Sequence, residues 1–232
     1  MSDPAARTPA SLLVPYAAPY VLYVAIGALA DPRSHALWIY GARLVAVGAA
    51  LAFYWRRWLP LRGPRPVAGS IAWGALFGLA GAGLWLGLHA PFAPSDAPAW
   101  SEGAWAARAL GATLLPPLIE EPLFRGWALG VGVLYAQARA AGDPAPLGRA
   151  LDRSDLASVA PGAWTPLALV GSTALFAAGH HAGEWLAACG YGALMCALWI
   201  ARGDLVSCIS AHAVTNAALA VFARATGAWG SW

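Results

Sequence analysis

Long apolar stretches, separated by short polar breaks, divide the chain into segments of membrane-spanning length. The stretches lie at residues 11–30, 36–58, 67–89, 104–138, 164–180, 184–201 and 205–223. A helix needs about 20 apolar residues to cross the hydrocarbon core of a bilayer. The pattern therefore predicts an all-α polytopic membrane protein with about seven to eight transmembrane helices. We expect them to form a single integral membrane domain over residues 1–232.

The fourth stretch is too long for one straight span. Pro116 and Pro117 interrupt it and predict a break between an approach segment and the helix proper. If residues 104–115 form a separate short helix, the spans number eight instead of seven. In either case, residues 1–103 hold spans one to three, and residues 104–232 hold the remaining helices.

Glycines recur at helical spacing in the third stretch, as Gly74-x3-Gly78 and Gly83-x3-Gly87. Small residues four apart lie on one face of a helix and let two helix backbones approach closely in lipid. We therefore expect the third helix to pack tightly against a neighbour along these faces.

The composition agrees with a membrane protein and excludes other classes. Of the 232 residues, 59% are hydrophobic and only 11% are charged, whereas soluble domains carry about 25% charged residues. All 14 basic residues are Arg, and they are spread along the chain instead of forming the basic stripe that nucleic-acid binding needs. We therefore expect the lipid bilayer as the surroundings and no nucleic acid among the partners.

The Arg residues in the connections are unevenly divided between the two sides of the membrane. Nine lie at the N-terminus, at residues 56–65 and 139–163 and at Arg202, and three (Arg33, Arg108 and Arg224) lie on the alternate connections. The positive-inside rule places the richer side, and with it the N-terminus, in the cytoplasm.

The first span ends in Ala28-Leu29-Ala30, which resembles a signal-peptidase site. Its apolar run is longer than that of a signal peptide, so we expect it to stay uncleaved.

Three charged residues fall inside the fourth apolar stretch, in the sequence IEEPLFRG. A charge at mid-bilayer costs about 2.5–3.5 kcal/mol on insertion scales, and such residues usually face a cavity and have a function. Glu121 and Arg125 are four apart and share a helix face, so we expect an ion pair. Glu120 lies about 100° around the helix and is left without an intrahelical cation. Alternatively, all three residues form a buried polar cluster that only holds helices together.

Two later stretches carry polar residues at the same spacing. Phe176 and His180 are four apart in the fifth stretch. His212 and Asn216 are four apart in the seventh. With Glu120, these side chains could surround an intramembrane polar cavity, with a carboxylate–imidazole pair to activate water and a donor pair for an oxyanion. Counting the helical rise from the proline break puts Glu120 and His180 at compatible depths, whereas an earlier helix start would separate them.

The three motifs and their order resemble those of the CPBP family of intramembrane proteases, also called Abi, which includes the CAAX prenyl endopeptidases. The family pattern is EExxxR, then FxxxH, then HxxxN, and the matching segments here are 120–125, 176–180 and 212–216. The motif-bearing part covers residues 110–223. The N-terminal spans more weakly resemble the exosortase-associated subgroup. That resemblance implies a multi-pass protein of the bacterial inner membrane, linked to an exosortase system for the sorting of surface proteins.

The resemblance implies that the chain is a hydrolase that cleaves a peptide bond of a membrane-associated or lipid-proximal protein or peptide. Glu120 would act as the general base and polarise a water molecule together with His180. His212 and Asn216 would stabilise the tetrahedral oxyanion.

The same resemblance implies supporting roles for three further residues. Glu121 and Arg125 would form an ion pair beside the site, and Phe176 would pack beside the water. One departure from the family pattern is Pro122, which follows the Glu pair directly. Because proline is awkward in the middle of a helix, it predicts that the helix begins or kinks there.

We expect no cofactor. Zinc is an alternative, since Glu and His on several helices can bind it, but the sequence has no HExxH and no three-ligand cluster at zinc spacing. Ligand chemistry therefore favours a metal-free glutamate mechanism.

Two alternatives to an enzyme stay open. They are a bacteriocin-immunity or membrane scaffold protein of the same family, and a proton-coupled transporter, for which intramembrane Glu and His are also typical.

Overall fold

The computed structural model describes residues 9–152 and 156–232, and within these residues the regular structure is entirely helical. Its helices are α1 (Pro9–Gly27), α2 (Ala36–Tyr54), α3 (Val67–His89), α4 (Glu102–Glu121), α5 (Leu129–Ala140), α6 (Pro146–Asp152), α7 (Pro166–Ala178), α8 (Trp185–Arg202) and α9 (Leu205–Thr226). A π-helical segment, Pro122–Ala128, joins α4 to α5 without a break. Arg7 and Arg153, which entered the count that predicts the orientation, lie outside the described residues.

All of these helices except α6, which lies in the polar connection between the fourth and fifth stretches, correspond to the seven predicted apolar stretches, and α4 and α5 together occupy the fourth. Within the described part of the chain, four are long and apolar enough to cross a membrane: Ala36–Arg57, Val67–Phe92, Ala182–Arg202 and Leu205–Thr226. Two shorter apolar helices, Leu13–Gly27 and Pro166–Ala178, accompany them. Large apolar side chains point away from the protein on several helices, as membrane-facing positions require. The chain is therefore a multi-pass, all-helical membrane protein, as the hydrophobic pattern predicts.

The predicted break at Pro116 and Pro117 is absent. Helix α4 runs through both prolines, so residues 104–115 do not form a separate short helix. A proline lacks the N–H that would bond the carbonyl four residues earlier. For Pro116 this carbonyl belongs to Ala112, and the side chain of Asn216 on α9 donates to it, with Nδ2 2.8 Å from the oxygen. A distant helix thus satisfies the backbone that the proline leaves open, and α4 continues.

Helix α3 packs against α9 through one of the two predicted glycine pairs. A Cβ atom on Gly74 would lie 2.7 Å from the carbonyl oxygen of Ser207, and one on Gly78 would lie 2.6 Å from that of Ala211. Only glycine allows this approach of the two backbones. The prediction is wrong for Gly83 and Gly87, which are exposed and would meet nothing within 4 Å.

Contacts at the two ends of the helices show that α3 and α9 run in the same direction. At the first end, Ser70 near the start of α3 donates from Oγ to the carboxylate of Asp204, which caps α9, over 2.9 Å. At the other end, His89 closes α3 and lies between two carbonyls, Gly183 before α8 and Gly230 after α9. The candidate site lies between these helices, and its lining includes Glu184, Ser231 and Trp232 at this second end.

Candidate active site

One cavity of about 210 Å³ lies between α3, α4, α7, α8 and α9. The four residues predicted to be catalytic come from three separate segments of the chain, and all of them line it: Glu120, His180, His212 and Asn216. Helix α4 begins at Glu102 and not at the proline break, and a count of the helical rise from this earlier start would separate Glu120 from His180. Both residues nevertheless line the same cavity.

Glu120 faces this cavity near the end of α4. Glu120 is 9% exposed, and its carboxylate has no hydrogen-bond or ion-pair partner among the described residues. Its carboxylate interacts electrostatically with the imidazoles of His180 and His212. The carboxylate is therefore free to bind a water molecule or a substrate group in the cavity.

Glu121 points away from the cavity into a closed cluster, and its side chain is fully buried. Its Oε1 atom lies 3.3 Å from Nη1 of Arg125 and 2.7 Å from Nδ1 of His212. The ion pair that the i, i+4 spacing predicts is present. Sequence reasoning missed that His212 completes it, because the two residues are 91 positions apart. We call Glu121, Arg125 and His212 the Glu121 cluster.

Arg125 has two further contacts that hold it in place. Its Nη2 donates to the carbonyl of Gly192 on α8 over 3.3 Å, and its Cζ lies 4.7 Å from the ring centroid of Phe176. Phe176 is 1% exposed and lies between the guanidinium and His180, whose ring centroid is 4.7 Å away. The aromatic ring thus separates the buried cluster from the cavity.

His180 lies two residues beyond the end of α7, after the C-cap Gly179, and its hydrogen bond defines its tautomer. Nδ1 lies 2.9 Å from the backbone carbonyl of Phe176. A carbonyl oxygen only accepts, so Nδ1 carries the hydrogen. In the neutral ring, Nε2 then carries the lone pair. The ring is held against Trp85, with centroids 5.4 Å apart. His180 is therefore oriented to accept a hydrogen bond in the cavity.

His212 and Asn216 differ from His180 in the hydrogen-bonding groups that they present to the cavity. Since the Arg125-paired carboxylate of Glu121 accepts from His212 Nδ1, a neutral ring would present a lone pair at Nε2. Only the imidazolium form presents an N–H there. Asn216 uses one hydrogen of its amide for the carbonyl of Ala112 and keeps the second.

The π-helical segment explains how α4 accommodates Pro122. The sequence predicts a helix start or a kink at this residue, and the structure has a wider helical turn instead. The carbonyl of Phe124 accepts the backbone N–H of Leu129, five residues on, and also the hydroxyl of Ser172 over 2.8 Å. Single π turns inside α-helices are frequent at functional sites. Here the segment carries Arg125 and places it beside Glu121.

Several residues that line the cavity were not predicted. The aromatic and hydroxyl-bearing ones are Tyr23, Trp85, Tyr191, Thr215, Ser231 and Trp232. Arg108 also lines the cavity, although its position near a polar break suggested a connection. Its spacing from Glu120 gives no signal, because twelve residues turn an α-helix by about 120° beyond full turns. His89, which the sequence places at a span edge, is 5% exposed and bridges two carbonyls.

A metal centre does not fit these side chains. Within the described residues, no three His, Cys, Asp or Glu side chains are grouped so that they could hold one ion. Glu121 is occupied by Arg125 and His212. We therefore derive no catalytic step through a metal.

Comparison with known proteins identifies the family. A family model described as Rce1-like, type II CAAX prenyl endopeptidase, matches residues 102–218, which is half of the 232-residue chain. The matched region begins with α4, ends within α9 and contains all three motifs. No curated protein and no solved structure matches the chain. The motifs had indicated the same family, and the chain belongs to the Rce1-like type II CAAX prenyl endopeptidases.

Proposed function

We propose that the protein is an intramembrane endopeptidase that hydrolyses a peptide bond of a membrane-associated or lipid-proximal substrate. The observation that carries this proposal is the pairing of two free bases in one buried cavity. Glu120 has no partner among the described residues, and Nε2 of His180 is left open by the bond at Nδ1. Two further polar groups, on His212 and Asn216, lie on the wall of the same cavity.

The first chemical step uses the two free bases. A water molecule between Glu120 and Nε2 of His180 donates a hydrogen bond to each of them. Glu120 takes one proton as the water oxygen attacks the carbonyl carbon of the peptide, and a tetrahedral oxyanion forms. Glu120 then returns the proton to the leaving amine, and the C–N bond breaks. Positioned general acid–base catalysis of this kind contributes about 10²- to 10⁴-fold in rate.

The oxyanion is stabilised by Nε2–H of His212 and the second amide N–H of Asn216. This role requires the imidazolium form of His212, because its Nδ1 hydrogen is already donated to Glu121. The carboxylate of Glu121 accepts the Nδ1 hydrogen of His212 over 2.7 Å and so fixes the orientation of the ring on the cavity wall. The Glu121 cluster thus supports the donor side of the site, whereas Glu120 and His180 form the base side.

We further propose the surroundings in which this reaction occurs. The distribution of Arg supports a cytoplasmic N-terminus, and the resemblance of the first spans supports the bacterial inner membrane and a link to an exosortase system. The substrate is a membrane-associated protein or peptide, and the reaction needs no metal.

The test uses the purified protein in nanodiscs with lipid-anchored peptides, and cleavage is followed by mass spectrometry. We expect Glu120→Gln to remove cleavage at normal protein level. The matched control is Glu102→Gln, since Glu102 starts the same helix but is exposed and pairs with Arg224. Full activity in Glu120→Gln, or equal losses in both variants, contradicts the mechanism.

The metal-free mechanism has a separate test. Metal analysis of the active protein, before and after treatment with a chelator, is expected to show no stoichiometric zinc and no loss of cleavage. Stoichiometric zinc that is lost together with activity would replace the glutamate mechanism.

A further inference from the structure

Tyr23 on α1 lines the cavity, although α1 lies outside residues 102–218, which match the family model. The residue is half-buried, and its side chain interacts electrostatically with Glu120. It has no part in the proposed hydrolysis. Tyr23 is therefore a polar group of the cavity wall to which neither the family nor the proposed mechanism gives a role.

The hydroxyl of Tyr23 differs from the other hydroxyls on the cavity wall. Tyr191 donates to Oγ1 of Thr215 over 3.2 Å, and Thr215 donates to a backbone carbonyl of α3 over 2.8 Å. Ser231 donates to the carbonyl three residues before it over 2.6 Å. These three hydroxyl hydrogens are used inside the protein. The hydroxyl of Tyr23 has no hydrogen-bond partner among the described residues, so its hydrogen is available to a molecule in the cavity.

Arg43 on α2 holds the ring of Tyr23 in place. Its Cζ atom lies 3.8 Å from the ring centroid, and its Nε donates to the backbone carbonyl of Tyr23 over 2.9 Å. The guanidinium reaches Gly27 at the end of α1, where a Cβ atom would overlap Nη2. Arg43 forms no ion pair within the part of the chain that the structure describes, and a charge inside a span is costly. Its stacking and its hydrogen bond both serve to fix the position of Tyr23.

A peptide in the cavity needs donors for its main chain. An extended segment cannot pair its own C=O and N–H groups, and each polar group that is buried without a partner costs free energy. Glu120 and His180 present acceptors. In the proposed mechanism, the donors of His212 and Asn216 bind the oxyanion. The phenol of Tyr23 is a further donor beside Glu120, and it is free to bind a second carbonyl of the peptide.

We propose that Tyr23 binds the peptide substrate by donating its hydroxyl hydrogen to a main-chain carbonyl near the scissile bond, and that Arg43 positions the phenol. This inference rests on the proposed peptidase function. Because the acceptor belongs to the main chain, the bond adds affinity whatever the side chains of the peptide are. It is present both before and during the attack of water, so it lowers KM and leaves kcat unchanged.

The first test measures steady-state cleavage of lipid-anchored peptides by the full-length protein in phosphatidylcholine nanodiscs. Tyr23→Phe removes only the hydroxyl and is expected to raise KM about fivefold, as the loss of one hydrogen bond does, with kcat unchanged. The matched control is Tyr40→Phe, since the ring of Tyr40 lies 5.2 Å from Cζ of the same Arg43 but does not line the cavity. An unchanged KM in Tyr23→Phe, or an equal rise in both variants, overturns the proposal. So does a fall in kcat at constant KM, because Tyr23 would then act only on the transition state.

The second test identifies the acceptor without turnover. One C=O group of the peptide at a time is replaced by C=S, a weaker acceptor, and the labelled peptides are titrated into Glu120→Gln protein in the same nanodiscs. We expect one position at which the replacement weakens binding while Tyr23 is present and has no effect once Tyr23→Phe is added, since both changes remove the same bond. If no replacement weakens binding while Tyr23 is present, the proposal is overturned without requiring the Tyr23 variant to fold. Losses that add to that of Tyr23→Phe at every position also overturn it.

The positioning role of Arg43 is tested by combining substitutions. Arg43→Gln removes the stacked charge and is expected to raise KM, Arg43→Lys to raise it less, and neither to raise it further in a protein that already carries Tyr23→Phe. Increases that add to that of Tyr23→Phe would show that Arg43 acts independently of the phenol.

The two tests also separate this inference from the proposed function. Cleavage with an unchanged KM in Tyr23→Phe would refute the role of Tyr23 and leave the peptidase standing. Binding that depends on Tyr23 and on one peptide carbonyl, without cleavage by the protein with Glu120 intact, would refute the peptidase and leave the binding site standing.

Discussion

Glu120 and Glu121 are neighbours in the chain, yet the protein surrounds them in opposite ways. Glu121 accepts from Arg125 and His212 in a space closed to solvent. Glu120 has neither partner and faces a cavity of about 210 Å³. A helix turns by about 100° per residue, so one step along α4 exchanges the one environment for the other.

The difference shows that burial alone does not assign a role to an intramembrane carboxylate. A buried charge with cationic partners on both sides is a structural element, and removing one partner leaves the others uncompensated. A buried charge with an open side is available for chemistry. We therefore expect substitutions on the cavity side to change mainly the rate, and substitutions of Glu121 or Arg125 to lower the stability and to change the rate only through their contact with His212.

On the cavity side, the largest loss of cleavage after that of Glu120→Gln is expected from a substitution of His180. His180→Gln removes the second base at the water position, so cleavage should fall by about 10²- to 10⁴-fold while thermal unfolding changes little. His181→Gln is the matched control, since this neighbouring residue is exposed and does not line the cavity. Similar activity in both variants would show that His180 has no part in activating the water.

The largest effect on stability is expected from Glu121→Gln. It leaves the buried charge of Arg125 without its carboxylate, and breaking a buried pair in this way costs about 3–5 kcal/mol. Unfolding in mixed micelles measures the loss. Adding Arg125→Met removes the stranded charge and should restore much of the stability, although Nδ1 of His212 still lacks its carboxylate acceptor. If the double variant is no more stable than Glu121→Gln alone, the ion pair is not the cause.

The parts of the fold that the sequence predicts depend on strong local constraints. A bilayer demands apolar stretches of a given length, and for this reason the predicted stretches match the helices closely. The pairing of Glu121 with Arg125 also follows from spacing on one helix. The bond between Glu121 and His212 does not, because it joins α4 to α9, and nothing in either motif states which of the two carboxylates the imidazole meets.

The prediction of a helix break at Pro116 is wrong for the same reason, because it too depends on a contact between distant helices. The rule that proline interrupts a helix is local, but the donor that repairs the helix, Asn216, comes from α9. Arg108 was assigned to a connection because it lies near the polar loop before α4, whereas the helix already begins at Glu102. In each case the missing information is which distant side chain lies next to a given backbone or cavity position.

Asn216 has a proposed catalytic role in the cavity and a structural role in supporting α4, and the two roles can be separated. Asn216→Ala removes an oxyanion donor, which typically costs about 10²- to 10³-fold in rate. It also leaves the carbonyl of Ala112 without a donor and lowers the stability. Pro116→Ala supplies a backbone N–H for that carbonyl. The double variant should therefore regain stability but not activity, and recovery of both would limit Asn216 to supporting α4.

The smallest effect is expected at Ser172, which ties α7 to the π-helical segment. Its hydroxyl shares the carbonyl of Phe124 with the backbone N–H of Leu129, so Ser172→Ala leaves that oxygen still bonded. We expect a loss of about 1 kcal/mol in unfolding free energy and unchanged cleavage, since Ser172 does not line the cavity. A large fall in cleavage at this small loss of stability would mean that the position of Arg125 in the π segment controls the rate. The contact of Ser172 with the π segment would then belong to the chemistry of the site and not only to its stability.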